Sequence, residues 1–573
     1  MMRKVPLVLI SVGAVFSALQ SASPASAAAP AAAVMQAGIA WKTCGQHLQC
    51  ARVSVPLNWR RPDGTHIKLA VIRRLASDQK HLIGSMFVNP GGPGESGVDL
   101  VRNPASGREL LAWGGGRFNV VGWDPRGTNW SDPVRCFTSQ ASEARFWRGV
   151  QIPTTPAESR AYARRAIELA RRCGQVSGEL LDNISTEDTA RDLNYLRQLV
   201  GDRALTYVGL SYGTMIGQTY ANMFPTRVRA MMLDAVVDPE AWVKSAESRI
   251  ALSVSTADDV FARFVQLCQA AGPARCALAR HYPETVAERV AGLFQRARRA
   301  PIPAPHAHPP GVLSYGDLLL TTFQPLRAPL MWPKYAHELD AAASGDASAL
   351  EAAARQARTP AAFTKATTSA AIQCADGPAS EPVSAWPSVI GHLTHVGSLW
   401  GPVVGWWNWA PCAANWPGHA TERYIGPWNA KTRTPILLIN NRYDPASGYA
   451  SAQRAERLLG NAVLLTVSSY GHPSFALPSA CADKWRVRYL VSLVTPPPGT
   501  VCGTQVPFRP GTNIGAPTPS GTPERVSAAR HPPYNPAELG DDPDAGILHK
   551  QRTDRLAYRL SEPLVANFLQ CGP

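Results

Sequence analysis

An α/β architecture is predicted for this 573-residue chain: a mostly parallel central sheet with flanking helices, and a helical segment inserted between core strands. Three features predict it. The first is the pentapeptide Gly209-Leu210-Ser211-Tyr212-Gly213, preceded by the apolar, β-prone run Leu205 to Val208 and followed by small, helix-compatible residues. That is the signature of a strand, a sharp turn and a helix. The second is a buried-type strand, Leu82 to Val88, running straight into the loop Asn89-Pro90-Gly91-Gly92-Pro93-Gly94-Glu95. The third is a late pair of strands, Thr434 to Asn440 and Ala462 to Val467, each ending in a polar loop.

Taken in order, the chain opens with a positive Arg3-Lys4, an apolar Val5 to Leu19 and the small-x-small run Ala25-Ser26-Ala27. This reads as a signal peptide, residues 1–27, cleaved near Ala27, and it predicts a secreted or cell-envelope (periplasmic) protein. Core residues 40–238 follow. Trp41 to Leu75 form short strands around a turn at Arg61-Pro62-Asp63-Gly64, and Arg117 to Gly127 form a strand and a turn. Asp124 and Arg126 in that turn are read as structural charges. Pro156 to Arg172 is helical, Ser185 caps a second helix, and Val228 leads a strand through Asp234 to Asp238. Residues 239–429 change character: they are helix-rich, with a Pro/His loop at Pro301 to Pro310, and form the expected cap. Its end carries Trp400, Trp406, Trp407, Trp409, Trp416 and Trp428. These tryptophans either fill the cap's own core or wall a substrate pocket. Residues 430–505 return to the core, with Ala462 to Val467 as the expected last strand, and 506–573 form a Pro/Gly-rich extension.

Composition excludes several classes. A formal charge of +15 comes mostly from scattered arginine. It forms no basic stripe, so nucleic acid is not an expected partner. No dinucleotide or phosphate glycine loop and no metal-ligand spacing occurs, so neither cofactor nor metal is expected. Beyond the N-terminal segment nothing reads as a membrane span, so an integral membrane protein is not expected. Nothing in the pattern demands an oligomer, and a monomer is expected. The eleven cysteines fit an oxidising compartment. By proximity they pair as Cys44 with Cys50, Cys136 with Cys173, Cys268 with Cys276, Cys374 with Cys412, and Cys481 with Cys502, leaving Cys571 over.

The chemistry converges on Ser211. A serine hydroxyl is a weak nucleophile at neutral pH and needs a base beside it. Asp444 follows one late strand and His472 follows the next, giving the order Ser, Asp, His. His472 would accept the Ser211 proton and Asp444 would orient the ring. Asp234 and Asp238 compete with Asp444 for the acid role. Backbone N–H groups of Gly92 and Tyr212 are the expected oxyanion hole.

With these residues in hand, the chain resembles the exported tripeptidyl/prolyl aminopeptidase branch of the α/β hydrolases, over residues 40 to 505. The matching segments are Asn89-Pro90-Gly91-Gly92-Pro93-Gly94, Gly122 to Gly127, Gly209 to Thr214, Ile372 to Asp376, Arg442 to Pro445 and Gly471-His472. The stretch from about Trp400 to Cys502 resembles that branch's TAP-like C-terminal module. The resemblance implies a serine exopeptidase acting on peptides with a free N-terminus. Such an enzyme needs a carboxylate for the substrate ammonium, and Asp376 and Glu95 are the candidates. Asn89 stands where the proline iminopeptidase pattern has histidine, which favours the tripeptidyl type. The alternatives are an exported carboxylesterase or lipase using the same three residues, and a non-catalytic surface-binding protein.

Overall fold

The computed structural model describes residues 38–396, 399–504 and 506–508, without the side chains of 393–396 and 407–409. The signal-peptide reading, Cys571 and nearly all of the 506–573 extension lie outside the described residues.

The described residues include twelve strands: β1 (Lys42–Gly45), β2 (Leu48–Pro56), β3 (His66–Arg74), β4 (Gly84–Asn89), β5 (Phe118–Trp123), β6 (Leu205–Leu210), β7 (Val228–Asp234), β8 (Ile302–Ala304), β9 (Gly311–Leu313), β10 (Ile436–Tyr443), β11 (Ala462–Tyr470) and β12 (Val501–Gly503). Ten of them form one sheet in the order β1-β2-β3-β5-β4-β6-β7-β10-β11-β12. The β1-β2, β2-β3 and β3-β5 pairs are antiparallel. From β5 across β4, β6, β7, β10 and β11 to β12 every pair is parallel. Parallel neighbours need crossovers, and helices supply them on both faces. The strands are accordingly apolar on both sides. Phe87, Tyr207 and Leu438 join one buried cluster, while Met86, Val88, Val208, Leu437 and Ile439 join another. Adjacent residues thus fall in different clusters, as the two-residue period of a strand dictates.

Two details differ from the sequence reading. The sheet does not end at β11: β12 adds Val501–Gly503 beside it, too short a run to show a strand pattern. The Pro/His loop is partly a two-stranded ribbon, β8 against β9, whose pairing is invisible in a proline-rich sequence.

Between β7 and β10 the described residues are mostly helical, apart from the β8–β9 ribbon and the irregular stretch 414–435. Long members are Ala246–Ala271, Tyr315–Arg327 and Pro360–Asp376. The tryptophans described here pack this layer. Trp400 meets Phe261 and Phe323, and Trp406 meets Tyr162, with ring centroids 5.6–6.0 Å apart. Sulfur pairs join Cys44 to Cys50, Cys136 to Cys173, Cys268 to Cys276, Cys374 to Cys412 and Cys481 to Cys502. Among the described residues no helix is long and apolar enough to cross a membrane.

Candidate active site

Ser211 sits between β6 and the helix Tyr212–Met223, at φ 56° and ψ −124°. A non-glycine residue rarely adopts such a backbone, and it persists only where surroundings enforce it. Here the Ser211 N–H donates to the Asp234 carbonyl at 2.9 Å. Close packing does the rest. A Cβ on Gly213 would stand 2.6 Å from the Asn89 carbonyl oxygen. One on Gly91 would stand 2.4 Å from the Leu210 carbonyl oxygen and 2.8 Å from the Tyr212 nitrogen. Glycine at both positions lets the loop after β4 lie directly on the elbow.

That loop is shaped by Asn89, whose Oδ1 accepts the Gly91 N–H at 2.9 Å. Pro90 and Pro93 have no N–H to give. Gly92 keeps an N–H that neither proline nor Asn89 removes, and it lines the same cavity as Ser211. Tyr212 opens its helix, so its N–H precedes the intrahelical ladder. This explains the asparagine: its side chain is a structural brace for the loop.

Asp444 follows β10 and is fully buried. Its Oδ1 accepts N–H bonds from Ala446 (2.8 Å) and Ser447 (3.0 Å), and its Oδ2 accepts from Ser447 Oγ (2.8 Å). His472 Nδ1 lies 3.0 and 2.9 Å from the two carboxylate oxygens. Burial pushes the Asp444 carboxyl up, but the facing His472 ring and these hydrogen bonds prevail and hold it below its ordinary value. The histidine loop is clamped from two strands. Asn441 Nδ2 donates to the carbonyls of Tyr470, Gly471 and Pro473. Asp234 accepts from Ser474 N–H at 2.9 Å, Ser474 Oγ at 2.6 Å and Arg486 at 3.1 Å.

Of the three acids that could face His472, Asp444 is the one that does. Asp234 is taken by Ser474 and Arg486, and Asp238 caps the helix Pro239–Lys244 through bonds to the N–H groups of Glu240 and Ala241. Asp124 and Arg126 are also engaged elsewhere. Asp124 accepts from Ser96 Oγ, Val98 N–H and Trp130 N–H, and burial pushes its carboxyl up to about 7. Arg126 makes a fully buried two-point pair with Asp192 at 2.8 and 2.7 Å.

Ser211 and His472 line one cavity of about 160 Å³ together with Gly92, Glu95 and Tyr212. Helices of the layer above close it. Pro360–Asp376 contributes Lys365, Ser369 and Gln373, one helical turn apart along a single face. Glu95 pairs with Lys365 at 3.4 Å. Asp376 is not brought to this cavity. It is buried beneath it, accepting from Thr186 N–H (2.7 Å), Thr186 Oγ1 (2.5 Å) and Trp242 Nε1 (2.8 Å). Since Thr186 Oγ1 spends its proton on Asp376, the Tyr212 hydroxyl donates to Thr186 at 2.7 Å. Burial raises the Asp376 carboxyl, opposed by these bonds and by Arg249, whose own guanidinium burial lowers to about 9. Sequence reasoning missed Lys365, Gln373 and Asp238 as cavity residues; the polar spacing Lys365, Ser369, Gln373 in an otherwise Ala/Thr-rich helix was the available signal. Among the described residues no cluster of His, Cys, Asp or Glu could hold a metal ion.

The chain is similar to known proteins over most of its length. The family model described as TAP-like protein matches residues 398–502. Serine protease Hip1 of Mycobacterium tuberculosis is 31% identical over 474 residues, covering 79% of this chain and 87% of that protein. Tripeptidyl aminopeptidase of Streptomyces coelicolor is 29% identical over 508 residues, covering 84% and 89%. Carboxylesterase B of Mycobacterium tuberculosis is 30% identical over 540 residues, covering 88% and 99%. The chain belongs to the TAP-like serine peptidases of the α/β-hydrolase superfamily.

Proposed function

We propose that this protein is an exported serine exopeptidase that releases tripeptides or proline-containing units from peptides with a free N-terminus. The observation that carries the reading is the shared cavity: a strained serine, a carboxylate-held histidine, a glycine-loop N–H and a carboxylate, Glu95, line the same space. Ser211 Oγ attacks the scissile carbonyl carbon while His472 Nε2 takes its proton. Asp444 keeps the ring in the tautomer with Nδ1 protonated and stabilises the imidazolium. The N–H groups of Gly92 and Tyr212 bind the oxyanion, each donor worth about 3 kcal/mol. His472 returns the proton to the leaving amine, and water, deprotonated by His472, hydrolyses the acyl-enzyme. Glu95 pairs the substrate ammonium; Asp376, already saturated by Thr186 and Trp242, serves to tie the cap helix to the core. Five disulfides accord with export.

The test compares Ala-Pro-Ala-anilide carrying a free amine with its N-acetylated twin. Cleavage of the free form alone supports the aminopeptidase; equal cleavage of both removes amine recognition from the reading. One observation favours a second reading, a carboxylesterase: the likeness to a protein of that name over nearly all its length. Esters and amides share the acyl-enzyme route. Hydrolysis of p-nitrophenyl esters with neither anilide cleaved would establish it.

A further inference from the structure

The Glu95–Lys365 pair has a second use. Glu95 lies just past the oxyanion loop, with its N–H on the Gly91 carbonyl at 3.2 Å, and its side chain is 13% exposed inside the cavity. Asp238, which also lines the cavity, is fixed by hydrogen bonds to the N–H groups of Glu240 and Ala241, and Asp376 lies outside the cavity, bound to Thr186. The Glu95 carboxylate instead accepts from the Lys365 ammonium, on the helix Pro360–Asp376 that lines the cavity. A lysine ammonium is a compact charge on a flexible stem, and a partly exposed pair of this kind is weak. Lys365 also has somewhere to go. It borders not only the site cavity but two others, of about 460 and 260 Å³.

We propose that Lys365 is a stand-in for the substrate's own ammonium: a free N-terminus exchanges with it at Glu95, and the lysine swings out of the site. This rests on the aminopeptidase reading above. The exchange swaps one primary ammonium for another, so the carboxylate is never left bare in the cavity, which would be costly. An acylated N-terminus carries no charge, cannot displace the lysine, and meets an intact ion pair. Lys365 is therefore a specificity-determining residue: it weakens binding of every amine a little and refuses blocked termini outright.

The experiment measures kcat and KM for both Ala-Pro-Ala-anilides with the wild type, Lys365→Met, Lys365→Arg and Glu95→Gln. Removing the competing cation in Lys365→Met is expected to lower KM for the free amine about three-fold, with kcat moving less. Lys365→Arg, which keeps a cation that can pair in two-point fashion, is expected to raise it. Glu95→Gln is expected to raise it about ten-fold or more, against the free amine alone. A rise in KM for Lys365→Met matching that of Glu95→Gln would overturn the proposal, making Lys365 a brace for Glu95; so would no change in either lysine variant. Those results leave the aminopeptidase reading standing when the wild type still prefers the free amine. Indifference of the wild type to acetylation would instead overturn both.

Discussion

The loops at the ends of the parallel strands and the helical layer above them treat charge differently. In the loops after β10 and β11 the charges are pinned by several hydrogen bonds: Asp444 by two N–H groups and a serine, and the histidine loop by Asn441 and Asp234. In the helical layer Lys365 faces the cavity from the helix Pro360–Asp376 and pairs with Glu95 at 3.4 Å, both side chains partly exposed. The first region is built for fixed geometry, the second for exchange. Chemistry needs the former because a misplaced base loses rate steeply, while selection among substrates tolerates the latter.

Breaking the fixed region should have the largest effects. Ser211→Ala is expected to cut kcat by about 10⁶-fold, and Asp444→Asn by about 10⁴-fold, with little change in KM, as read by steady-state kinetics. Covalent labelling by a fluorophosphonate should vanish in Ser211→Ala. If Asp234→Asn matched Asp444→Asn in rate while leaving the fold intact, the assignment of the acid would be wrong. Next comes Gly91→Ala. The added methyl meets the elbow at 2.4 Å, at φ +96°, so the oxyanion loop must retreat and kcat should fall about 10²-fold. A fall in KM-limited binding alone would contradict that role for the loop.

The helical layer yields smaller, structural effects. Asp376→Ala leaves the Thr186 and Trp242 donors without their carboxylate and removes one of the negative charges that support Arg249, and should cost about 3 kcal/mol in denaturant unfolding. The free-amine preference should survive it; loss of that preference at full stability would return the amine site to Asp376.

The smallest effect separates the two regions by pH. Glu109 lies in the helix Pro104–Trp113, where burial pushes its carboxyl up to about 8, opposed by Arg486 and reinforced by Asp483 and Asp234. Its folded value lies above its unfolded one. The folded state therefore holds the extra proton, and stability is lost as pH rises from the ordinary carboxylate range through about 8. Glu109→Gln should flatten that slope by about 1–2 kcal/mol between pH 5 and 8, measured by unfolding at several pH values. An unchanged slope would place the titration elsewhere, with Asp124 the next group to replace.

The sequence made the fixed region readable because strand and loop are contiguous there. An apolar run followed by Asp444 or by Gly471-His472 is local information, and the 28 residues between the two leave room for one helix and one strand. The fate of Asp376 was hidden. Its partner Thr186 lies 190 residues away, and nothing local says whether a helix-end carboxylate faces a cavity or a neighbouring helix. The tryptophan cluster was ambiguous for the same reason: Trp400 meets Phe261 and Phe323 only after the helices pack.

The order of these parts along the chain governs when hydrolysis begins. Ser211 is synthesised early, yet its base is held by a clamp that needs Asn441, Asp234 and Arg486 together. A growing chain carries the nucleophile through the making of the entire helical layer with no histidine to activate it. On the proposed mechanism synthesis order is a safeguard: cleavage waits until the chain has been made through Arg486.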